Sequence, residues 1–329
     1  MIDLLDPIDL HLLDGWQRDL PIVPRPFARV AREAGCGEEE VIRRLAAMKE
    51  SGRITRVGAT CAPNTVSAST LAALSAPEEA IEDVAEIVGR QPGVNHSYLR
   101  ENRWNLWFVA TGPDRGHVDK VLDAIRTETG LDVLDLPILR PFNIDLGFRL
   151  NKEMDRPPAP RPVRLACLRE GDNDLLQALS TGLPICERPY GKIAERLGRS
   201  EADVLERVAD LQDAGIISRL GVIVRHRALG WRSNAMVVWD IAPERVAAAG
   251  PVLAAQPGVT LCYERRPVPG VWPFRLYSMI HAQSRNKALE VLSKAAQLPE
   301  LEGVRHDALF SSRCFKQTGA MISRQGVAA

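Results

Sequence analysis

Three of the six histidines fall in stretches that could carry proton chemistry: His96 in HSYLRE, His226 in VRHR and His281 in YSMIH. Histidine ionises near neutral pH, so a positioned imidazole can give up or take a proton under ordinary conditions. Tyr98 and Tyr263 stand close to these positions and can donate hydrogen bonds or protons. Arginines gather around the same stretches: Arg53 and Arg56 in SGRITRVG, Arg219 and Arg225 across ISRLGVIVRHR, then Arg100, Arg103, Arg265, Arg266 and Arg275, with Arg313 and Lys316 near the end. A guanidinium is a planar fork that matches a carboxylate, which lysine does not. Aromatic residues are only 5% of the chain, yet Trp104, Trp107, Trp272, Phe274 and Tyr277 concentrate in the same two regions, with Met279 beside them. Cations around an apolar, aromatic-walled slot suit a flat ligand bearing carboxylates. Taken singly, each arginine reads equally well as a solvated charge and each aromatic as sheet core.

What positions these residues is a duplication. LPIVPRPFARVAREAGCGEEEVIRRLAAMKESGRITRVG from Leu20 matches LPICERPYGKIAERLGRSEADVLERVADLQDAGIISRLG from Leu183, an offset of 163 without a gap. QPGVNHSYLRE from Gln91 then matches QPGVTLCYERR from Gln256, and NLWFVATG from Asn105 matches RLYSMIHA from Arg275. Gaps fall where turn residues absorb them, notably at RRPVPGVWP. Arg56/Arg219, Arg100/Arg265 and Arg140/Arg313 are therefore equivalent, as are Tyr98 and Tyr263. His96 aligns with Leu261 and His281 with Thr111, so the halves are expected to be chemically unequal.

In each copy, apolar residues at three- and four-residue spacing predict short helices, in the first copy over Asp9–Trp16, Pro26–Glu33 and Glu38–Ser51, broken by Gly35 and Gly37. This is a helix-turn-helix, and a small wing of paired strands is expected after it. Beyond Gly58 the pattern becomes strand (Thr70–Leu74), helix (Glu78–Gln91), two strands (Asn95–Arg100, Asn105–Thr111), helix (Gly116–Gly130) and strand (Val133–Ile138). That is βαββαβ, the ferredoxin-like order, and the class is α+β. The expected divisions are a helix-turn-helix over 1–60, a ferredoxin-like domain over 61–150, a linker over 151–164 rich in proline, a second helix-turn-helix over 165–223 and a second ferredoxin-like domain over 224–329.

Lys+Arg 42 balances Asp+Glu 42, which speaks weakly against a long duplex as partner. Six scattered cysteines without a CxxC pair make disulfides or a structural zinc site unexpected. The acidic start and the lack of a long apolar run point to a cytoplasmic chain with no membrane partner.

A helix-turn-helix followed by a ferredoxin-like module resembles the Lrp/AsnC regulators. HSYLRENRWNLWFVATG (His96–Gly112), RHRALGWRSNAMVVWDI (Arg225–Ile241), GVTLCYERRPVPGVWPFRLYSMIH (Gly258–His281) and LFSSRCFKQTGA (Leu309–Ala320) are more specific and resemble the siroheme decarboxylases, with two related subunits fused head to tail. The resemblance implies removal of two acetate carboxylates from siroheme, leaving didecarboxysiroheme for heme d1 or heme synthesis. It implies a carboxy-lyase with no cofactor of its own, since the iron belongs to the substrate, and a pseudo-dimer within one chain. Whether that chain pairs again, or meets other heme d1 biosynthesis proteins, stays open. On this reading His96, His281, Tyr98, Tyr263 and His226 are the candidates for proton transfer. Arg53, Arg56, Arg100, Arg219, Arg225, Arg265, Arg266, Trp107, Trp272, Tyr277, Met279, Arg313 and Lys316 are the candidates for holding substrate. A histidine could instead ligate the siroheme iron.

The alternatives are an amino-acid-responsive DNA-binding regulator and a tetrapyrrole sensor without activity. Against the first, Glu38, Glu39, Glu40, Glu201 and Asp203 open the two would-be recognition helices. Carboxylates suit a helix N-terminus but repel phosphates.

Overall fold

The structure, a computed structural model, describes residues 6–144, 147 and 162–323. The first half begins with α1 (Pro7–Gly15), α2 (Pro26–Ala34) and α3 (Glu38–Glu50), followed by β1 (Ile54–Cys61). Then come β2 (Ala68–Leu74), α4 (Ile81–Arg90), β3 (Val94–Arg100), β4 (Leu106–Gly112), α5 (Arg115–Thr129), β5 (Val133–Leu136) and β6 (Ile138–Asn143). The second half repeats this with α6 (Asp172–Thr181), α7 (Pro189–Leu197), α8 (Glu201–Asp213), β7 (Ile217–Val224), β8 (Ser233–Asp240), α9 (Pro243–Ala255), β9 (Val259–Arg265), β10 (Leu276–Ala282), α10 (Arg285–Ala296) and β11 (Arg305–Gln317). Helix limits follow local chemistry. Pro26 and Pro189 open α2 and α7, and Gly35 and Gly198 close them in the left-handed conformation. Most of the linker, up to residue 161, lies outside the described residues.

The halves are interlocked. One antiparallel sheet of nine strands runs β5-β2-β4-β3-β11-β8-β10-β9-β6. Within it, β5-β2-β4-β3 and β11-β8-β10-β9 each show the ferredoxin-like order, with helices packed on one face. The long β11 belongs to both: Arg305–Phe310 pairs with β8 of its own half, and Ser311–Gln317 pairs with β3 of the other. Its counterpart in the first half is broken at Pro137, which has no N–H to give a ladder. β5 pairs with β2, and β6, just past the proline, pairs with β9 of the second half. Since β5 and β6 are consecutive in the chain, the two ends of the strand order meet at Pro137.

The strand pair that follows the helix-turn-helix is shared rather than duplicated. The expected wing in each half is one ribbon, β1 against β7, made across the halves. Gly58 and Gly221 sit directly opposite at its centre. A Cβ on Gly58 would lie 2.5 Å from the carbonyl oxygen of Leu179, and one on Gly221 would lie 2.5 Å from the backbone of Trp16 and Gln17. Those neighbours are held by hydrogen bonds from Leu183 N to Val57 O and from Val222 N to Trp16 O, each 2.7 Å.

Four apolar cores result. One joins both helix-turn-helix units with the ribbon, and two lie between a sheet and its own helices. The fourth fills the sheet's inner face, where Leu71, Trp107 and Leu136 of the first half meet Met236, Tyr277 and Leu309 of the second. The exchanged strands carry matching anchors: Phe142 packs into the second half's helical core and Phe315 into the first's.

Gly58→Ala or Gly221→Ala is expected to cost roughly 1–3 kcal/mol, the range for inserting a methyl group where backbone is already packed. Urea unfolding of each variant beside the parent chain measures this, and an unchanged midpoint would show that the ribbon can spread.

Candidate active site

Alternation along the strands decides which side chains enter the enclosed face. On β4, Leu106 and Phe108 point to the helices and Trp107 points inward; on β10, Leu276 and Ile280 point to the helices and Tyr277 and Met279 inward. His281 follows Met279 by two residues and shares its face. On β3 the inward set is His96, Tyr98 and Arg100. β11 lies between β3 and β8, so the crossover brings Arg100 of the first half to Asn234 of the second.

A polar chain follows from this handover. His96 Nδ1 lies 3.2 Å from the Tyr98 hydroxyl. The Arg100 guanidinium sits 5.6 Å from the Tyr98 ring centroid and donates to Leu309 O at 3.0 Å and Asn234 Oδ1 at 3.2 Å. Asn234 Nδ2 lies 2.7 Å from His281 Nε2, and Thr260 Oγ1 lies 2.8 Å from His281 Nδ1. His226, in the turn before β8, places its ring 5.6 Å from that of His281. Arg56 on β1 is close enough to depress the basicity of His96, and Arg219 on β7 to depress that of Arg56. Arg225 acts on Tyr98 in the same way.

The electrostatics are lopsided. Burial pushes Arg100 down to about 10; burial, aided by the Arg219 charge, does the same to Arg56. Neither forms an ion pair among the described residues, and the Nε of each is buried without a hydrogen-bond partner there. A buried guanidinium without a counter-charge is costly, by several kcal/mol in an apolar setting. Burial likewise lowers His96 and His281 to about 4, helped by the charge of Arg56 and of Arg100 respectively. Burial raises the Tyr98 hydroxyl.

The repeat-related position in the second half is built from the same backbone and filled differently. Arg265 donates to Leu136 O at 2.6 Å, the counterpart of the Arg100–Leu309 bond, and lies 4.5 Å from the Tyr263 ring centroid. There Leu261 replaces His96 and Thr111 replaces His281. Trp272, brought by the longer loop between β9 and β10, donates to the Tyr277 hydroxyl at 2.7 Å. Its ring packs 5.3 Å from Trp107 and 4.8 Å from Phe274. Trp107, Trp272, Tyr277 and Met279 are thus all buried, packed in one core.

Four expected substrate ligands lie elsewhere. Arg53, in the turn just before β1, pairs with Asp9 on α1, 3.3 Å away. Arg266 follows the inward Arg265, so alternation sends it outward to Asp135 at 2.7 Å. Arg313 is exposed and paired with Glu82 on α4. Lys316 reaches Gly89 O at 2.6 Å, on the helix side of the sheet. Asn234 and Thr260 escape sequence reasoning, since neither ionises and only strand register places them on a histidine. Among the described residues, no group of three or more His, Cys, Asp or Glu side chains could hold a metal ion, and no helix is long and apolar enough to cross a membrane.

Comparison with known proteins was informative. Residues 9–54 and 172–217 match the siroheme decarboxylase NirDL-like HTH domain, and residues 66–143 and 228–316 match the AsnC-like ligand binding domain. The siroheme decarboxylase NirDL subunit of Paracoccus denitrificans is 54% identical over 319 residues, 97% of this chain and 98% of that protein. The siroheme decarboxylase NirD subunit of Stutzerimonas stutzeri is 46% identical over 44% of this chain and 96% of its own length, so a relative exists at the size of one half. A solved siroheme decarboxylase NirDL, in co-complex with an iron-uroporphyrin III analogue, superposes with a TM-score of 0.68 at 24% identity, covering 97% of this chain and 95% of that one. With its duplicated helix-turn-helix and AsnC-like domains and that full-length identity, the chain belongs to the siroheme decarboxylase NirDL family.

Proposed function

We propose that this chain decarboxylates siroheme, and that it does so at the polar cluster that runs from β3 to β10. The observation that carries the reading is that Arg56 and Arg100 are desolvated and, among the described residues, have no carboxylate partner. A ligand rich in carboxylates supplies the missing counter-charge, and planar forks are the right shape to accept it. Siroheme fits that description, and its relatives' names point the same way.

In the reaction, the bond between an acetate methylene and its carboxylate breaks and CO2 leaves. The electron pair stays on the methylene carbon, where the macrocycle can delocalise it, and a proton completes the methyl group. The chain brings no cofactor to this step; the iron is the substrate's. Its residues hold the carboxylates, exclude water and supply the proton. His96 and His281 are the proposed proton donors, with Tyr98 and His226 beside them. Both histidines rest neutral at neutral pH, so the negative charge of bound substrate must raise their basicity before either can act as an acid. The second position is packed with aromatic rings and carries Leu261 and Thr111 in place of the two histidines, so both decarboxylations are assigned to the first.

The DNA-binding alternative has less support. Glu38 pairs with Arg25 and Glu201 with Arg188 at the starts of α3 and α8, and Glu40 pairs with Arg43 and Arg44. These carboxylates stand where phosphates would have to approach.

An anaerobic single-turnover assay with siroheme, following CO2 and product mass, tests the reading directly; no product from the intact chain would overturn it. Arg56→Ala should weaken siroheme binding by roughly tenfold to a hundredfold, the equivalent of losing a charge-assisted pair worth about 1.5–3 kcal/mol. His96→Ala and His281→Ala should leave binding nearly intact and slow both decarboxylations by about 10²–10⁴. If each variant blocked only one of the two, the single-site assignment would fall.

Stability should respond to pH in a defined direction. His96 and His281 are lowered to about 4 in the folded chain, while the unfolded chain protonates them near 6.5. Between those values the unfolded state binds more protons, so their share of stability is full above about pH 6.5 and is lost as pH falls towards 4. Urea midpoints across that window should fall, and fall less steeply in His281→Gln; an equal slope would show that His281 is not held neutral.

A further inference from the structure

The directions of the hydrogen bonds that Asn234 and Thr260 make with His281 follow from the other partners of those two residues. Arg100 has only donors, so the atom of Asn234 facing it at 3.2 Å is the amide oxygen. The amide NH2 of Asn234 therefore faces His281 Nε2 at 2.7 Å and donates to it. On the other side, Thr260 spends its one hydroxyl proton on Met279 O at 3.0 Å. Its oxygen can then only accept from His281 Nδ1–H at 2.8 Å.

Building on the decarboxylase reading, we propose that Asn234 and Thr260 are positioning residues that lock His281 as a neutral imidazole with its proton on Nδ1 and its Nε2 lone pair directed at the Asn234 amide. The direction of the chain is set by Arg100, from the other half, so the tautomer of a second-half histidine depends on a first-half cation.

The repeat shows that the fold itself does not need this device. Thr111 stands where His281 does, Ser69 occupies the register position that Asn234 has on β8, and Asn95 aligns with Thr260. The same backbone thus exists in the first half without the relay. Among the described residues, the ionisable groups that face His281 include Arg100 from β3 and His226 from the turn before β8. Neither is an anion, so nothing in this set draws a second proton onto the ring.

The resting tautomer is read by nitrogen-15 NMR of the full chain labelled at histidine, with His281→Gln assigning the signal. At neutral pH the expected pattern is a protonated Nδ1 and a bare Nε2. An Nε2–H tautomer or an imidazolium would overturn the proposal whatever the activity. Thr260→Val removes the acceptor and should lower the single-turnover rate by about tenfold with siroheme affinity unchanged, while Thr260→Ser restores it. Asn234→Asp puts a carboxylate against Nε2 and should move the pH at which His281 titrates up by about one unit or more. If the intact chain is active and His281→Ala is not, yet Thr260→Val keeps the parent rate and tautomer, the positioning role fails while the decarboxylase reading stands. If the intact chain forms no product, that reading fails while the NMR still decides the tautomer.

Discussion

The exchange of C-terminal strands is the constraint on which the other features rest. At Phe310, β11 leaves its own half and continues as the neighbour of β3, and on the other side Pro137 sends β6 to β9. A ladder hydrogen bond is worth little by itself, but breaking a row of them inside a buried sheet leaves many unsatisfied groups at once. The exchange therefore fixes the distance between β3 and β10 with the stiffness of a continuous sheet. Without it, Arg100 would have no reason to lie 3.2 Å from Asn234, and neither half alone would hold the polar chain.

From one repeated backbone the molecule makes two different interiors. Equivalent arginines, Arg100 and Arg265, each bond the carbonyl of an equivalent leucine at the strand handover. One then faces histidines, an asparagine and a threonine; the other faces Tyr263, Tyr277 and Trp272. The difference traces to a few substitutions and one longer loop. Filling the second position with aromatic rings buries much apolar area, a stabilising contribution that works against the cost of leaving charges and neutral imidazoles in the first.

Much of this was legible in the residues. The duplication, the helix-turn-helix units and the βαββαβ order follow from periodicity and turn residues, because those features are local. The unequal histidines were visible too, since His96 against Leu261 and His281 against Thr111 can be read off the aligned copies. The exchange of β6 and β11 was not, because pairing across halves leaves no mark in either segment's own pattern. The wing was misplaced for the same reason: β1 looks like half of a hairpin until β7 is seen to be its partner. Arg266 and Arg313 were drawn in by sequence proximity, and strand alternation turned them to the surface. Asn234 and Thr260 were missed because their importance lies entirely in which atom they face.

Strand β11 also has a consequence for how the chain is made. Translation delivers β3 long before residues 311–317, so during synthesis that strand is an edge, with inward polar groups and open backbone. The first ferredoxin-like unit can collapse on its helices through its own core, yet its last strand position stays vacant until residues 311–317 have been made. A nascent or truncated chain thus presents an unpaired strand able to capture β11 of another molecule. Fusing the two halves places the correct strand on the same polypeptide, at a far higher local concentration than any competitor.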